Sequence, residues 1–533
     1  MKRINVYLLA LFFATGLAAC VSAPKAETGE PVPEVYEPSV EIYEPVALDV
    51  TPPPIRDRIF IEEDFSEDKY LPIELPIEDN PYYITIRDTQ FSIELTELDL
   101  NRRRLTSAEA EQLRRMTNLK MLNLSYNQLD DITFLADLTS LERLNLNGND
   151  ITDITPLADL VNLVELKLLW NNFIDISPLA GLSNLACLAI GWTELSDVSA
   201  VAAELTNLTS LKLYVNHVYR ITPLAELGNL RSLNIFGNID DIVPLAKFTN
   251  LTSLTLRQTF QLSDITPLAG LTNLVYLDLF GNRIYDVTPL AGLRNLTSLN
   301  IGYNLIRDIS PLSRLTNLTH LDLWANEIED ISPLSGLRNL TSLMLTRNRI
   351  SDLRPLSGLT NLTILIMNDV SREDDYGHWD NIIDDIRPLA RLTNLETLHI
   401  GRNRISDIRP LTGMTNLTSL NLSSSHISDI TPLTRLTQLR LLDLGWGEIG
   451  DISPLAGLTN LWYLCLSNNP ISDFSYLSSL TNLTHLRLWN SGIVCLTPLA
   501  DLIHLEYLDL GENLDIDMSP VAHVANIGFW RLW

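Results

Sequence analysis

A unit of 22 residues recurs along most of this chain, and it constrains the fold more than any other feature of the sequence. It reads LTSLNIGYNLIRDISPLSRLTN at Leu296–Asn317 and returns directly at Leu318–Asn339 and Leu340–Asn361. The shared pattern is L-x-x-L-x-L-x-x-N-x-I-x-D-I-x-P-L-x-x-L-x-N, with 19 copies from Leu95 to Asn526. A fixed period of this length predicts a stack of similar coils.

Each copy opens with alternating apolar and polar residues. In the stretch SLNIG, Leu299 and Ile301 alternate with polar residues, which predicts a short strand with these two side chains pointing into the coil. One coil cannot bury its six apolar side chains alone, so stacked coils should share one continuous core. We therefore expect Leu299 to be buried and Ser298 to be exposed.

Polar positions of the repeat predict how the chain bends. The ninth residue, as in Asn304, is expected to bond backbone groups where the chain leaves the strand. Later in the unit, Pro occurs in 15 copies and follows Ser or Thr in 11 of them. A hydroxyl N-cap before Pro indicates a helix start, and the remaining length fits only a 3₁₀ turn. The Asp just before this step, present in 16 copies, indicates turn chemistry, with a calcium-binding ladder as the lesser alternative.

The repeat resembles the leucine-rich repeat family, and within it the 22-residue class of bacterial internalins, through the stretch N-x-I-x-D-I-x-P-L. The resemblance covers about four fifths of the chain. It implies a leucine-rich repeat solenoid with a parallel β-sheet on the concave face and short 3₁₀ or irregular helical segments on the convex face. It also implies a function in binding proteins or peptides.

The N-terminus has the layout of a secretory signal. A basic start at Lys2 precedes the apolar run Ile4–Gly16, which is too short to span a bilayer. The following Leu17–Cys20 resembles the lipobox of bacterial lipoproteins. The resemblance implies a signal peptide of residues 1–19, a lipid on Cys20, and anchoring at the outer membrane or the outer face of the cell membrane. An ordinary, non-lipidated signal peptide is the alternative.

Composition divides the rest of the chain into four segments. These are a Pro- and Glu-rich disordered linker at 20–54, an N-terminal cap region at 55–94, the repeats at 95–526 and a C-terminal cap strand at 527–533. Within the cap region, Tyr83–Ile86 and Phe91–Ile93 are predicted to form a β-hairpin. A solenoid needs such a cap because its terminal coil would otherwise expose the core.

Charge and cysteine content exclude several classes of function. A formal net charge of −28 argues against nucleic acid and against direct adsorption to anionic lipid. Apart from Cys20, the cysteines Cys187, Cys465 and Cys495 are too far apart or on different sides of the coil, so no disulfide is expected. We find no catalytic constellation, phosphate-binding glycine loop or paired-cysteine motif. The sequence therefore predicts a monomeric, non-enzymatic protein without cofactor or metal.

Outward positions of the repeat must carry any binding specificity, because the inward positions serve the fold. The third, fifth, seventh, eighth and tenth positions are rich in aromatic residues, which is typical of a protein-binding surface. Alternatively, these large residues only shield the bend. The aromatic candidates are Trp170, Trp192, Tyr214, Phe236, Tyr276, Phe280, Tyr303, Trp324, Trp446, Tyr463, Trp489 and Tyr507.

Five arginines predict a basic strip along one edge of the same face. They are Arg283, Arg347, Arg349, Arg402 and Arg404. The neighbouring acids Asp278, Asp322 and Glu327 are expected to neutralise part of this strip.

One repeat carries an insertion of 11 residues within 368–383. A long irregular insertion is often functional, although a tolerated surface loop is an equal alternative and metal binding a weaker one. Its candidate residues are Asp374, Asp375, Tyr376, His378 and Trp379.

Together these features predict a lipid-anchored, extracytoplasmic protein of the cell envelope. Its concave face would bind a protein or peptide ligand in the manner of an adhesin or receptor. The alternative is an envelope-structural scaffold that has no single specific ligand.

Overall fold

The computed structural model describes most of the repeat region and the hairpin before it. The described residues are 81–191, 198–199, 204–214, 221–237, 239, 241–259, 261–368, 381–511 and 516–528. The signal peptide, Cys20, the linker, Trp192 and the insertion residues Asp374, Asp375, Tyr376, His378 and Trp379 lie outside this part of the chain. None of the helices described is long and apolar enough to cross a membrane.

The predicted hairpin precedes the first repeat. Strands β1 (Tyr83–Ile86) and β2 (Thr89–Ser92) pair antiparallel around a tight turn at Arg87 and Asp88. Ile84 is 1% exposed and belongs to the same apolar core as the repeats. The Arg87 guanidinium bonds Glu109 at 2.8 Å and holds the pKa of that carboxyl down at about 2. The hairpin prediction is confirmed, with a turn shorter than expected.

In the described part of the chain, the repeats form one parallel sheet of twenty short strands, each pairing with the next in chain order. Strands β3 to β22 are Glu97–Asp99, Met121–Asn123, Arg143–Asn145, Glu165–Leu169, Cys187–Gly191, Ser210–Tyr214, Ser232–Phe236, Ser253–Arg257, Tyr276–Asp278, Ser298–Asn300, His320–Asp322, Ser342–Met344, Ile364–Ile366, Thr397–His399, Ser419–Asn421, Leu441–Asp443, Tyr463–Cys465, His485–Arg487, Tyr507–Asp509 and Asn526–Gly528. The last strand includes Ile527 of the predicted cap strand, while residues 529–533 lie outside the described part.

Short helical turns follow the strands on the other side of the stack. One α-helical turn, α1 (Ser107–Ala110), occurs in the first repeat. The 3₁₀ segments are Glu111–Arg115, Thr133–Asp137, Thr155–Leu157, Ser177–Gly181, Thr222–Glu226, Val243–Lys247, Thr266–Leu268, Thr288–Gly292, Ser310–Arg314, Ser332–Gly336, Arg354–Gly358, Arg387–Arg391, Arg409–Gly413, Thr431–Arg435, Ser453–Leu455, Ser475–Ser479, Thr497–Leu499 and Ser519–Val521. The fold is a leucine-rich repeat solenoid, as predicted.

Register places equivalent residues of neighbouring coils side by side. Leu277, Leu299 and Leu321 pair in adjacent strands and are almost fully buried, which is why one continuous core forms. The prediction for Leu299, at 1% exposed, is confirmed. Ser298 is only half-exposed, because its neighbours in the adjacent strands cover part of it.

The capping chemistry differs from the sequence prediction. The Ser or Thr before Pro is the first residue of the 3₁₀ segment, and its backbone N–H donates to the Asp two residues earlier. Asp308 accepts from the Ser310 N–H at 2.8 Å and from the Ser310 hydroxyl at 3.0 Å. In other coils the same bonds lower the pKa of the carboxyl, as at Asp153 with Thr155. The carboxylate, rather than the hydroxyl, is therefore the cap.

Asparagines at the ninth position form a ladder through the stack, as predicted. The Asn304 amide donates to the Leu279 carbonyl of the previous coil and to the Ile301 carbonyl of its own coil, at 3.0 and 3.1 Å. Its carbonyl oxygen accepts from the Ile284 N–H at 3.0 Å. Asn381 occupies the same place in the 33-residue repeat. The insertion therefore leaves the coil just before this rung.

Candidate binding surface on the sheet

The outward side chains of the sheet, here called the sheet face, differ in how far they are accessible. Coils are numbered 1 to 19 by repeat. Trp170, Tyr303 and Trp446 are exposed by 36, 54 and 56%. The exposed arginines are Arg283, Arg402 and Arg404, and the half-buried candidates are Tyr214, Phe236, Tyr276, Phe280, Trp324, Trp489, Tyr507, Arg347 and Arg349.

Tyr463 is not available as an exposed ring, contrary to the prediction. It is 7% exposed, and the Arg487 guanidinium carbon lies 6.0 Å from its ring centroid. The Trp462 ring packs on it edge-on at 6.0 Å. An aromatic residue at the third position begins the strand and packs against the sheet. An aromatic residue at the eighth position lies where the chain leaves the strand.

Phe280, Tyr303 and Trp324 form one cluster, here called the central aromatic patch. The Phe280 and Trp324 rings stack at 5.6 Å and 8°, and Tyr303 lies 6.0 Å from Phe280 and 5.9 Å from Trp324. Phe280 and Trp324 belong to strands two steps apart, roughly 9–10 Å. Their rings can meet because Gly302 stands between them, where an added Cβ would lie 3.3 Å from Phe280.

An ion pair on the sheet supports this patch. The Arg257 Nε donates to Asp278 at 2.7 Å, and the Tyr276 hydroxyl donates to the same carboxylate oxygen at 3.1 Å. The Arg257 guanidinium also lies 5.7 Å from the Phe280 ring centroid. Because Asp278 is 1% exposed, the pair is shielded from water and fixes the edge of the patch.

Arg257 was missed by the sequence analysis. Its signal was an arginine at an outward position diagonally across from Asp278 of the next strand, whose direct cross-strand partner is Thr255. Asp278 therefore neutralises Arg257, and not the basic strip as expected.

Asp322 ends its strand two residues before Trp324 of the patch. Its carboxylate accepts from the Trp324 N–H at 2.9 Å. Desolvation raises the pKa of Asp322 to about 6, the Trp324 N–H opposes this, and nearby Asp278 adds to it. A pKa of about 6 places this group's titration in mildly acidic solution, at a carboxylate bonded to the Trp324 backbone.

The eighth position of the repeat has an unusual backbone. Described residues there adopt positive φ in most coils: Arg102, Tyr126, Trp170, Gln258, Tyr303, Ala325, Arg347, Arg402, Ser424, Trp446, Asn468 and Asn490. Glycine fills the position in three other coils, at Gly148, Gly237 and Gly281. A side chain costs about 1 kcal/mol or more in this conformation. The large residues at Trp170, Tyr303 and Trp446 are thus retained where glycine would be most stable.

Further ring pairs extend the aromatic band along the sheet face. Tyr126 and Trp170 meet at 6.1 Å, and Gly148 of the intervening coil makes room for them. Tyr214 and Phe236 meet at 5.8 Å, and Trp446 and Trp489 at 5.4 Å. The band is therefore a series of separate clusters. Besides the central aromatic patch, Trp462 contacts Tyr463 and His485, and His485 stacks on Tyr507.

The predicted basic strip is partly neutralised. Arg349 lies 3.4 Å from Glu327 and 3.8 Å from Glu329, and Arg307 also binds Glu327, at 2.6 Å. Glu327 therefore acts as expected. Arg347 and Arg349 in coil 12 are separated from Arg402 and Arg404 in coil 14 by the coil that carries the insertion.

The remaining polar clusters have structural partners. Across the described coils, no three metal-ligating side chains converge. Cys187, Cys465 and Cys495 are free thiols in the structure, and Cys495 occupies the capping slot of its coil, where it contacts the Thr497 hydroxyl.

Comparison with known proteins agrees with this architecture. Two family models match, described as "Leucine rich repeat" over residues 93–151 and "Leucine Rich repeats (2 copies)" over 139–181, 228–270, 272–314, 294–336, 316–358 and 393–435. No curated protein matches the chain in sequence.

Solved structures with the same repeats are similar to this chain. An internalin, InlF from Listeria monocytogenes, shares 36% identity over 66% of this chain and 87% of its own, with a TM-score of 0.46. A Leptospira interrogans LRR protein shares 22% identity over 79% of this chain and 94% of its own, with a TM-score of 0.49. A TDR receptor, at 18% identity and TM-score 0.50 over 82% of this chain and 85% of its own, bears on the fold alone. The matched repeats and the identity to InlF show that this chain belongs to the leucine-rich repeat family, as an internalin-like member.

Proposed function

We propose that this chain is a lipid-anchored protein of the cell envelope that binds a protein or peptide on its sheet face, in the manner of an adhesin or receptor. The central aromatic patch is the observation that carries the proposal. Tyr303 exposes 54% of its surface although its backbone favours glycine, and it stands beside two stacked rings. Binding hot spots are typically aromatic anchors of this kind.

The position of the patch also favours a binding role. Exposed Leu305 and Tyr285, at 44 and 64%, lie in the same coils as Tyr303 and Phe280, and exposed Arg283 lies in the same coil as Phe280. Aromatic residues with arginine are enriched in the centres of protein interfaces. A ligand with apolar side chains and some acidic residues fits this composition.

Anchoring rests on Leu17–Cys20, which lies outside the described residues. A lipid on Cys20 would hold the protein at the outer membrane or the outer face of the cell membrane. The Cys20→Ala variant should then remain an unprocessed precursor without lipid. Mass spectrometry that finds this variant acylated at its N-terminus would contradict the anchor.

Ligand capture tests the binding proposal. The full-length protein, Trp324→Ala and Tyr476→Ala are immobilised and exposed to extracellular proteins, and bound proteins are identified by mass spectrometry. Tyr476 is a suitable control because it is exposed on a 3₁₀ segment, away from the sheet face. A ligand retained by Tyr476→Ala and lost by Trp324→Ala supports the proposal. Equal retention by all three proteins favours a scaffold with many weak contacts.

A further inference from the structure

The side of the stack opposite the sheet carries a group of arginines in coils 9 to 15, here called the arginine face. It comprises the fifteenth to twenty-second positions of the repeat, which form the 3₁₀ segment and the turn after it. These positions hold eight arginines and no Asp, Glu or Lys. All eight are exposed: Arg294, Arg314, Arg338, Arg354, Arg387, Arg391, Arg409 and Arg435. The second position of the repeat adds one charge of each sign, Glu396 and Arg440.

Equivalent positions elsewhere in the stack are acidic. The nineteenth position holds Arg314, Arg391 and Arg435 in coils 10, 13 and 15. In coils 2, 3, 5, 6 and 18 the same position holds an acidic residue: Asp137, Asp159, Glu204, Glu226 and Asp501. The sign of the charge therefore reverses along one side of the solenoid, and the basic part is confined to a continuous run of coils.

Most of these guanidinium groups have no carboxylate partner. Within the described part of the chain, five of the eight arginines form no ion pair with an acidic side chain: Arg294, Arg314, Arg338, Arg391 and Arg435. By contrast, Lys120 and Lys247 on the acidic coils lie 2.9 and 3.7 Å from Glu142 and Glu226. The positive charge of the arginine face is thus largely uncompensated, although the whole chain carries a formal net charge of −28.

The other three arginines are held in position by the Asp caps of coils 12, 13 and 14. Arg354, Arg387 and Arg409 each bond the carboxylate two residues earlier through Nε and Nη2, at 2.7–3.0 Å. Their side chains remain 83, 79 and 81% exposed. In each, Nη1 bonds no group of the described chain. These pairs orient three guanidiniums outward in adjacent coils.

The fold does not require arginine at these positions. Ser310 occupies the fifteenth position in coil 10 and bonds its cap Asp308 equally well. A positive charge there also lies at the start of the 3₁₀ segment, where the backbone dipole opposes it. At the nineteenth position, Gly336 and Gly358 replace arginine in coils 11 and 12. A role outside the fold accounts better for the clustering.

Arginine and hydroxyl groups define the chemistry of a ligand. The planar guanidinium binds the paired oxygens of carboxylate, sulfate or phosphate groups. Exposed Thr316 and Thr360 lie among the arginines and offer hydroxyl groups. In these described segments no large apolar side chain is exposed, so the face lacks the anchors typical of protein interfaces and of base stacking.

We propose that the arginine face binds an anionic polysaccharide that lies along the stack, with its acidic groups held by the arginines and its hydroxyls by the threonines. Adjacent strands are about 4.8 Å apart, so coils 9 to 15 span about 30 Å, the length of several sugar units. A stiff DNA duplex fits less well, because it would extend over the acidic coils on either side. The site lies on the opposite side from the central aromatic patch and does not depend on the function proposed above.

The test measures binding of the full-length protein to defined polymers by isothermal titration at two salt concentrations. Polygalacturonate presents carboxylates and dextran sulfate presents sulfates, so the two distinguish the source of the acidic group. We expect at least one of them to bind, with an affinity that falls as salt rises, and uncharged dextran not to bind. Polyglutamate and a short DNA duplex are included as polyanions of other classes.

The double variant Arg314→Ser with Arg391→Ser should weaken polysaccharide binding by at least about tenfold and reduce its dependence on salt. Serine suits the position, since Ser479 occupies it in coil 17. Arg283→Ser with Arg404→Ser is the matched control, because it removes the same charge at strand exits in coils 9 and 14. The control should bind the polysaccharide as the wild type does.

A second pair of substitutions covers the case in which the serine variant does not fold. Arg294→Thr with Arg338→Thr changes the twenty-first position to the residue that other coils carry there, as at Thr316 and Thr360. This variant should also weaken binding of the polysaccharide.

Three results would overturn the proposal. These are no binding of either anionic polysaccharide, equal losses in the arginine-face variants and the control, and binding of polyglutamate or DNA that is as tight as that of the polysaccharides.

Discussion

Some residues on the sheet face are accessible to a ligand although they lower the stability of the fold. Asp322 is a carboxylate withdrawn from water whose only described bond is to the Trp324 N–H, while Asp278 is bound by Arg257 and Tyr276. The same position is occupied by a neutral amide in coil 10, where Asn300 bonds the Gly302 N–H at 3.0 Å. A neutral amide can therefore serve at this position of the repeat, and the Asp322 carboxylate is not required for the fold of coil 11.

Replacing Asp322 by Asn should stabilise the protein above pH 6. The folded-state pKa is raised from 3.8 to about 6, so the folded protein binds the proton more tightly than the unfolded chain. The free energy of unfolding of the wild type should fall as the pH rises through this window. Above this pH window, Asp322→Asn should have a free energy of unfolding about 1 kcal/mol higher than the wild type. Below the window, the two proteins should be equally stable.

Urea unfolding at several pH values measures this effect. Asp278→Asn is the matched control, because it leaves Arg257 without its partner and should cost about 3 kcal/mol. An Asp322→Asn variant that is less stable than the wild type at all pH values would show that the carboxylate is structurally required.

Tyr303 tests the strain at the eighth position. Its φ of 54° favours glycine, so Tyr303→Gly should be about 1 kcal/mol more stable than Tyr303→Ala, the reverse of the usual order in regular structure. Chemical denaturation of the two variants gives the difference directly, since both lose the same ring contacts. Equal stabilities would mean that the coil relaxes and that no strain is retained.

At the scale of the element, most coils are held by the same three devices. These are apolar residues at fixed positions, an Asp cap on the 3₁₀ segment, and the asparagine rung to the previous coil. Leu299 belongs to the first device and is buried between Leu277 and Leu321.

Leu299→Ala should lower the free energy of unfolding by about 2–5 kcal/mol through the cavity it leaves. Ser298→Ala, at the adjacent and half-exposed position, should change it by less than about 0.5 kcal/mol. Denaturation followed by circular dichroism compares the two. Similar losses in both variants would contradict the assignment of inward and outward positions.

The sequence predicted the elements of the coil better than the contacts between coils. Leu299 could be placed because apolar alternation fixes which side chains point inward. The cap was assigned to the hydroxyl instead of Asp308, because both residue types can cap and only the backbone start of the segment distinguishes them. The stack of Phe280 on Trp324 needs the gap at Gly302, and the burial of Tyr463 depends on Arg487. Both involve side-chain directions across several coils, which periodicity does not specify.

At the scale of the whole molecule, an acidic chain presents its arginines near the aromatic band. The formal net charge is −28, yet exposed Arg283 and Arg404 lie at strand exits on either side of coil 12. Such a local basic region can guide an acidic ligand to the surface.

Reversing Arg283 and Arg404 to Glu should slow ligand association by about tenfold and reduce its dependence on salt, with less change in dissociation. Surface plasmon resonance at two salt concentrations separates these rates. Reversal of Arg294, which lies away from the sheet face near a 3₁₀ segment, is the control. An effect on dissociation alone would argue against electrostatic steering.

The most direct test of the central claim is the affinity of the Trp324→Ala variant for the captured ligand. Trp324 packs on Phe280 and Tyr303 and points away from the core, so the fold should be retained. Isothermal titration should show a loss of about 2 kcal/mol or more, with Tyr476→Ala binding as the wild type does. An unchanged affinity in Trp324→Ala, with binding lost only when whole repeats are deleted, would contradict a binding centre at the central aromatic patch.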